Sequence, residues 1–262
     1  MGNESQHLKE IEAVGDGGLS APASVAAAAG ADAAVSAERR FIDATFTNLL
    51  WIFLITSVIG LVGETLVSWP IDGELRRRFG LLWGPFSPIY GLGAVLITVA
   101  LNNLRQSRTV VLFLVAGVVG SSLEFVGGWF WKNFFGVLAW SYQGQPFNLF
   151  GYTSLGMACC WGVIGVVWMK FALPIIMRVI DGLGRLTSKP VTATISAFLA
   201  VDIAMTFVTI NCWFDRLDSQ PVETPVQQFC AENFDDDFMQ NRFGVMTIHT
   251  DLAHVRHALQ DL

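Results

Sequence analysis

Residues Gly80 to Gly93 read G-L-L-W-G-P-F-S-P-I-Y-G-L-G, between two strongly apolar runs. Pro85 and Pro88 fix φ at two positions, while Gly80, Gly84, Gly91 and Gly93 free the backbone at four. A surface turn needs one or two such residues, so the density calls for another account. One reading is an irregular segment that enters a membrane region, where non-helical backbone survives only under a cover of protein or water. The other is a proline-rich helix start with Pro88 in the first turn.

Composition supports the membrane setting for both. Of 262 residues, 53% are hydrophobic and 15% charged, against about 25% charged in soluble domains. Mean hydropathy is +0.50. Sixteen basic against 22 acidic residues give a net charge of −6, which excludes the basic surface a nucleic-acid partner needs. Spans of about 20 apolar residues cross a bilayer, and five stretches are predicted to do so: Phe46–Trp69, Pro88–Leu104, Val110–Trp131, Tyr152–Met177 and Thr192–Phe214. The second is the shortest and opens with the Gly/Pro motif. The expected fold is therefore an all-α integral membrane protein of about five transmembrane helices, with re-entrant or interfacial Gly/Pro/aromatic loops. Residues 1–40, rich in Ala, Gly and Ser, read as a disordered tail without signal-peptide character. Residues 41–214 form the transmembrane domain, and 215–262 an acidic tail with short helical segments.

Arg39 and Arg40 precede the first span, and Arg105, Arg108, Arg178, Arg185 and Lys189 fall in the loops of the same side. The balance places the N-terminus in the cytoplasm, with Arg76, Arg77 and Arg78 opposing it. Cys159 and Cys160 read as small packing residues. Cys212 and Cys230 would then lie outside, either bridged or as two free thiols. Small residues such as Gly60, Gly63 and Gly120 within the spans suit close helix approach in lipid.

Two carboxylates lie inside spans: Glu64 in G-L-V-G-E-T and Glu124 in S-S-L-E-F-V-G-G. Such residues face an interior or a water path, or else serve as structural pins bonded to a neighbouring helix. Spans one and three run in the same direction, so both glutamates approach one membrane face. The loops that follow emerge there too. One carries Arg76–Arg78 and the Gly/Pro motif; the other is W-S-Y-Q-G-Q-P-F-N-L-F-G-Y, Trp140 to Tyr152. In it, Trp140, Tyr142 and Tyr152 suit the headgroup level. Pro146 and Gly151 bracket Asn148, which offers donors and an acceptor.

These motifs, G-E in the first helix, G-P-x-x-P-I-Y-G-x-G, L-E-F-x-x-G and W-x-Y-x-x-x-P-F-N-L-x-G-Y, resemble those of the bacterial type IV ABC-transporter permease family. The resemblance runs from about Phe46 to Met177, and the tail Phe234–Phe243 is also similar to the end of such proteins. Its motif residues correspond to Glu64, Gly84, Pro85, Pro88, Tyr90, Gly91, Glu124, Trp140, Tyr142, Pro146, Asn148 and Tyr152. It implies a multi-pass permease subunit of the bacterial plasma membrane, surrounded by lipid, with a separate ATPase subunit, working singly or as a homo-oligomer. No Walker A motif is present, so the chain binds no ATP through a P-loop of its own. Neither a catalytic triad nor a metal-ligand set emerges, and His249, His254 and His257 fall outside the motif-bearing core. The expectation is a non-enzymatic unit without cofactor, in which Glu64 and Glu124 line a polar cavity. Arg76–Arg78 would stand at its mouth, with Tyr90 and Asn148 as directional donors. Two other classes stay open: a membrane enzyme using the carboxylates as acid and base on a lipid-linked substrate, and an assembly or sensor protein.

Overall fold

A computed structural model describes residues 40–72, 80–138, 140–243 and 247–248. Arg76–Arg78, the C-terminal histidines and the tail before residue 40 lie outside these. Among the described residues eight α-helices follow in order: α1 Phe46–Asp72, α2 Pro88–Leu101, α3 Thr109–Phe135, α4 Leu155–Val167, α5 Leu173–Gly182, α6 Lys189–Leu217, α7 Pro225–Asn233 and α8 Asp236–Phe243. A π-helical turn, Trp168–Ala172, joins α4 to α5 into one long rod. Four segments are long and apolar enough to cross a membrane: Phe46–Leu66, Thr109–Phe135, Leu155–Gly182 and Lys189–Leu217. The shorter Pro88–Leu104 accompanies them. The chain is an all-α, multi-pass membrane protein; besides helices, Val137–Leu138 pairs antiparallel with Thr247–Ile248.

The bundle core forms where five elements meet. Ile52 of α1, Ile97 and Leu101 of α2, Leu112 and Ala116 of α3, Met169 of the π turn and Leu173, Ile176 and Ile180 of α5 bury one another. The spacing of the last three puts them on one face of α5. Glycine permits the closest crossings. A Cβ on Gly120 would stand 2.2 Å from the Trp161 ring, and one on Gly60 would stand 2.3 Å from the Tyr90 ring.

Why α2 is short follows from its contacts. Ser87 N–H donates to the Ser57 carbonyl at 3.3 Å, so α2 begins beside the middle of α1. At its other end Asn102 accepts from the Phe41 and Ile42 N–H groups just before α1. With a rise of 1.5 Å per residue, α1 continues about 22 Å beyond Ser57 to Asp72. The chain must therefore come back down from the end of α1 before α2 can start. Leu81, packed with Leu54 of α1 and Leu199 of α6, marks the depth it reaches. The Gly/Pro stretch is thus both things its sequence suggested. Residues 80–87 are irregular, with Gly80, Leu81, Leu82 and Ser87 buried in the bundle and 83–85 at its surface, and Pro88 sits in the first turn of α2.

Buried irregular backbone needs partners for its N–H and C=O groups. Leu81 N–H donates to the Phe86 carbonyl at 2.7 Å, closing the turn, with Gly84 at φ +80° inside it. Leu82 N–H donates to Thr206 Oγ1 at 2.8 Å and Trp83 N–H to Asp202 Oδ1 at 3.0 Å, both on α6. Arg242 of α8 supplies the opposite polarity: its Nε donates to the Leu81 carbonyl at 2.8 Å, and its Nη2 donates to the carbonyls of Leu81 and Gly84. The C-terminal helices are held in place by Phe234, Met239 and Phe243, buried against Leu82, Ile210, Trp213 and Phe214.

Arg242 should therefore matter more than a tail residue ordinarily does. Arg242→Leu leaves the carbonyl of buried Leu81 without its donor and should destabilise the detergent-solubilised protein by about 1–3 kcal/mol, read as a lowered melting temperature. Arg242→Lys should recover part of this, because a single ammonium reaches fewer acceptors than a guanidinium fork. Wild-type melting in the Leu variant would contradict the assignment.

Candidate functional site

Each glutamate meets a hydroxyl delivered by the loop or helix start that follows it. Tyr90, in the first turn of α2, donates its phenolic O–H to Glu64 Oε2 at 2.6 Å. Glu124, buried in the second half of α3, accepts from Tyr142 Oη at 3.1 Å on Oε1 and from Thr153 Oγ1 at 2.9 Å on Oε2. Both carboxylates are thus held by side chains of their own hairpins, α1–α2 and α3–α4.

The second hairpin repeats the geometry of the first. Tyr152 packs against Gly128, and Trp140 against Gly127, so the Trp140–Tyr152 loop lies alongside the last turns of α3. Helix α4 opens at Ser154, whose Oγ caps the Met157 N–H. Its neighbour Thr153 reaches Glu124, about 16 Å short of the end of α3 at Phe135. The end of this loop, residues 151–154, is buried at that depth, while most of residues 141–150 stay exposed. Its own hydrogen bonds fix its path: Trp140 Nε1 donates to the Tyr152 carbonyl at 2.9 Å, and Tyr142 N–H to the Gly151 carbonyl at 2.8 Å.

Asn148 serves this loop from within. Its Nδ2 donates to the Gln143 and Gln145 carbonyls, and its Oδ1 accepts from Gly151 N–H. The amide is thereby spent on shape and does not face the glutamates as a donor. It holds Phe147 and Phe150 at φ 53° and 55°, a left-handed conformation costing about 1–2 kcal/mol per non-glycine residue. Pro146 and Gly151, at φ +76°, bracket the same turn. Lys132 approaches the Tyr152 ring, 5.8 Å from its centroid.

Tyr142 lies outside the spanning helices. Burial raises its phenol above the ordinary range, and the neighbouring Glu124 charge and hydrogen bond raise it further. Because the folded value is raised, the stabilisation is complete below the ordinary tyrosine pKa and falls as pH rises beyond it.

Sequence reasoning missed three residues that work on the Gly/Pro loop: Asp202, Thr206 and Arg242. Asp202 is fully buried, and its Oδ2 has no hydrogen-bond partner among the described residues. It carried the same signal as Glu64 and Glu124, a carboxyl within an apolar span. Cys212 and Cys230 are both buried free thiols. No cluster of residues among those described could hold a metal ion.

The alkaline limb of stability should report Tyr142. Above about pH 10 an unfolded tyrosine ionises while Tyr142 stays protonated, so the wild-type melting temperature should fall with rising pH. Tyr142→Phe should flatten part of that slope, with Thr153 still on Glu124. Identical slopes in the two proteins would refute it.

No curated protein and no solved structure matches the chain. The model of one family matches residues 51–207, well over half of the chain. The matched region takes in both glutamates, both re-entrant loops and the α6 residues Asp202 and Thr206, and stops before α7. The chain belongs to the family described as Putative ABC-transporter type IV.

Proposed function

We propose that the protein is a permease-type unit of the bacterial plasma membrane, whose polar path runs between the two re-entrant hairpins past Glu64 and Glu124. One observation carries this: two irregular stretches enter the bundle from the same end, and each delivers a tyrosine hydroxyl to an intramembrane carboxylate. A packing role alone gives no reason to bring irregular backbone and ionisable groups to one depth twice. Broken helices of this kind are used by transporters to build mid-membrane sites. The tyrosine–glutamate bonds would define a closed state, opened when a substrate's own polar groups replace the phenols. Substrate chemistry follows from the acceptors: a donor-bearing solute or headgroup. An ATPase would be a separate chain, and the protein itself performs no chemistry.

The N-terminus is placed in the cytoplasm in this proposal. Arg105, Arg108, Arg178, Arg185 and Lys189 lie in or near the turns at the end away from the two loops, as cytoplasmic turns do.

The test is charge removal at constant shape. Glu64→Gln and Glu124→Gln should insert and melt as wild type does, since glutamine keeps size and hydrogen bonding. Uptake, or retention of a co-purifying solute, should fall at least tenfold. Unchanged retention, with cysteines at 64 and 124 closed to water-soluble thiol reagents, would reduce both residues to structural pins. For orientation, a reporter fused at Ser188 should read cytoplasmic and one after Gln220 external; the reverse pattern inverts the protein.

A further inference from the structure

Away from both glutamates, the last two turns of α3, the second half of α6 and the start of α7 enclose an open groove of about 630 Å³. Its floor is apolar, formed by Phe130, Phe134, Phe135, Phe207 and Val208. These rings pack on one another, Phe130 with Phe134 at 4.8 Å and Phe135 stacked on Phe207 at 5.7 Å. Val208 lies in line with Phe198 and Val201 on the exposed apolar stripe of α6, at spacings that share one helix face. The groove is therefore continuous with the surface that α6 turns toward lipid.

Polarity changes along the groove in one direction. Asn211 follows one turn above Phe207, and Asp215 one turn above Asn211, near the end of the spanning segment at Leu217. About 12 Å separates the aromatic floor from the carboxylate, the arrangement of an acyl chain and its headgroup. Gln227 of α7 donates Nε2 to Asp215 Oδ2 at 3.5 Å. None of the described residues that line the groove is a lysine or arginine; Arg216, next to Asp215, is engaged by Asp236 and the Phe234 carbonyl, and the turn beyond carries Asp218 and Glu223. The headgroup favoured here is one that brings N–H donors and positive charge. A primary ammonium has three N–H groups to share between a carboxylate and an amide oxygen, and a quaternary ammonium has none.

We propose that this groove binds one lipid with a primary-amine headgroup, of the phosphatidylethanolamine type. Its upper acyl chain lies on Phe130, Phe134 and Phe207, and its ammonium on Asp215 and Asn211. The volume suits a headgroup and the first part of one chain.

Native mass spectrometry of the full-length protein, delipidated and then titrated with defined lipids, tests this. Phosphatidylethanolamine should be retained about tenfold more than phosphatidylglycerol or phosphatidylcholine, the worth of one charge-assisted hydrogen bond. Asp215→Asn should bring the three lipids to within about twofold of one another while the melting temperature holds. Val208→Trp, which fills the groove from its lipid side, should abolish the preferred adduct; if it does not insert, Phe134→Trp at the rim replaces it. Equal retention of the three lipids by the wild type overturns the proposal. So does a preference that survives both Asp215→Asn and the groove-filling variant, or a mass showing a second copy of the chain protecting Phe134 from labelling.

Discussion

Everything in the upper half of this bundle depends on one requirement: a peptide group removed from water must find a partner. Residues 80–87 cannot satisfy each other as a helix would, because Pro85 and Pro88 remove donors and Gly84 sits at positive φ. The chain meets the deficit with side chains brought from elsewhere. A threonine and an aspartate on α6 take the N–H groups, and an arginine on α8 takes the carbonyls. Hydrophobic packing alone could place Leu81 and Leu82, but it would leave the polar backbone between them uncompensated, at several kcal/mol per group in a lipid setting.

The same requirement links the two hairpins to the glutamates. A re-entrant stretch has to end in a helix start, and a helix start brings side chains to mid-bundle depth. In α1–α2 that side chain is Tyr90; in α3–α4 it is Thr153, with Tyr142 from the loop before it. Close approach accompanies both: Gly60 offers no Cβ to the Tyr90 ring that bonds Glu64, and Gly128 makes room for Tyr152, the neighbour of the Thr153 that bonds Glu124. In α1–α2 glycine, tyrosine and glutamate form one unit, so a change at Gly60 acts on the Glu64 carboxylate through Tyr90.

How much of this was legible in the sequence varied with range. Apolar runs and their lengths announced the membrane helices, because burial in lipid is a property of composition. The weakness of the second run was itself information, since α2 is short for the reason that it starts halfway along α1. Glu64, Glu124 and the Gly/Pro stretch stood out as costly residues in an apolar setting. Asp202 was equally costly, but its partner Trp83 lies 119 residues earlier, and nothing local connects the two. Arg242 was harder still. It sits in F-D-D-D-F-M-Q-N-R-F, whose charges read as solvated, yet Asp236 bonds Arg216 at 2.7 Å, Asp235 caps the Phe238 N–H, and Met239 and Phe243 are buried. Asn148 misled in the other direction, because a loop that needs left-handed phenylalanines consumes the amide that would have served a ligand.

The separation between Gly80–Ser87 and Arg242 has a consequence for biogenesis. A ribosome making about 5–20 residues per second needs on the order of 10–30 s to travel the 161 positions from Leu81 to its arginine. For that interval the first hairpin has been synthesised but its carbonyls have no internal donor. It must wait beside the insertion machinery or in contact with water, while α3 to α6 are threaded past it. This part of the bundle therefore closes only once α8 has been made and docks its arginine on the earlier loop.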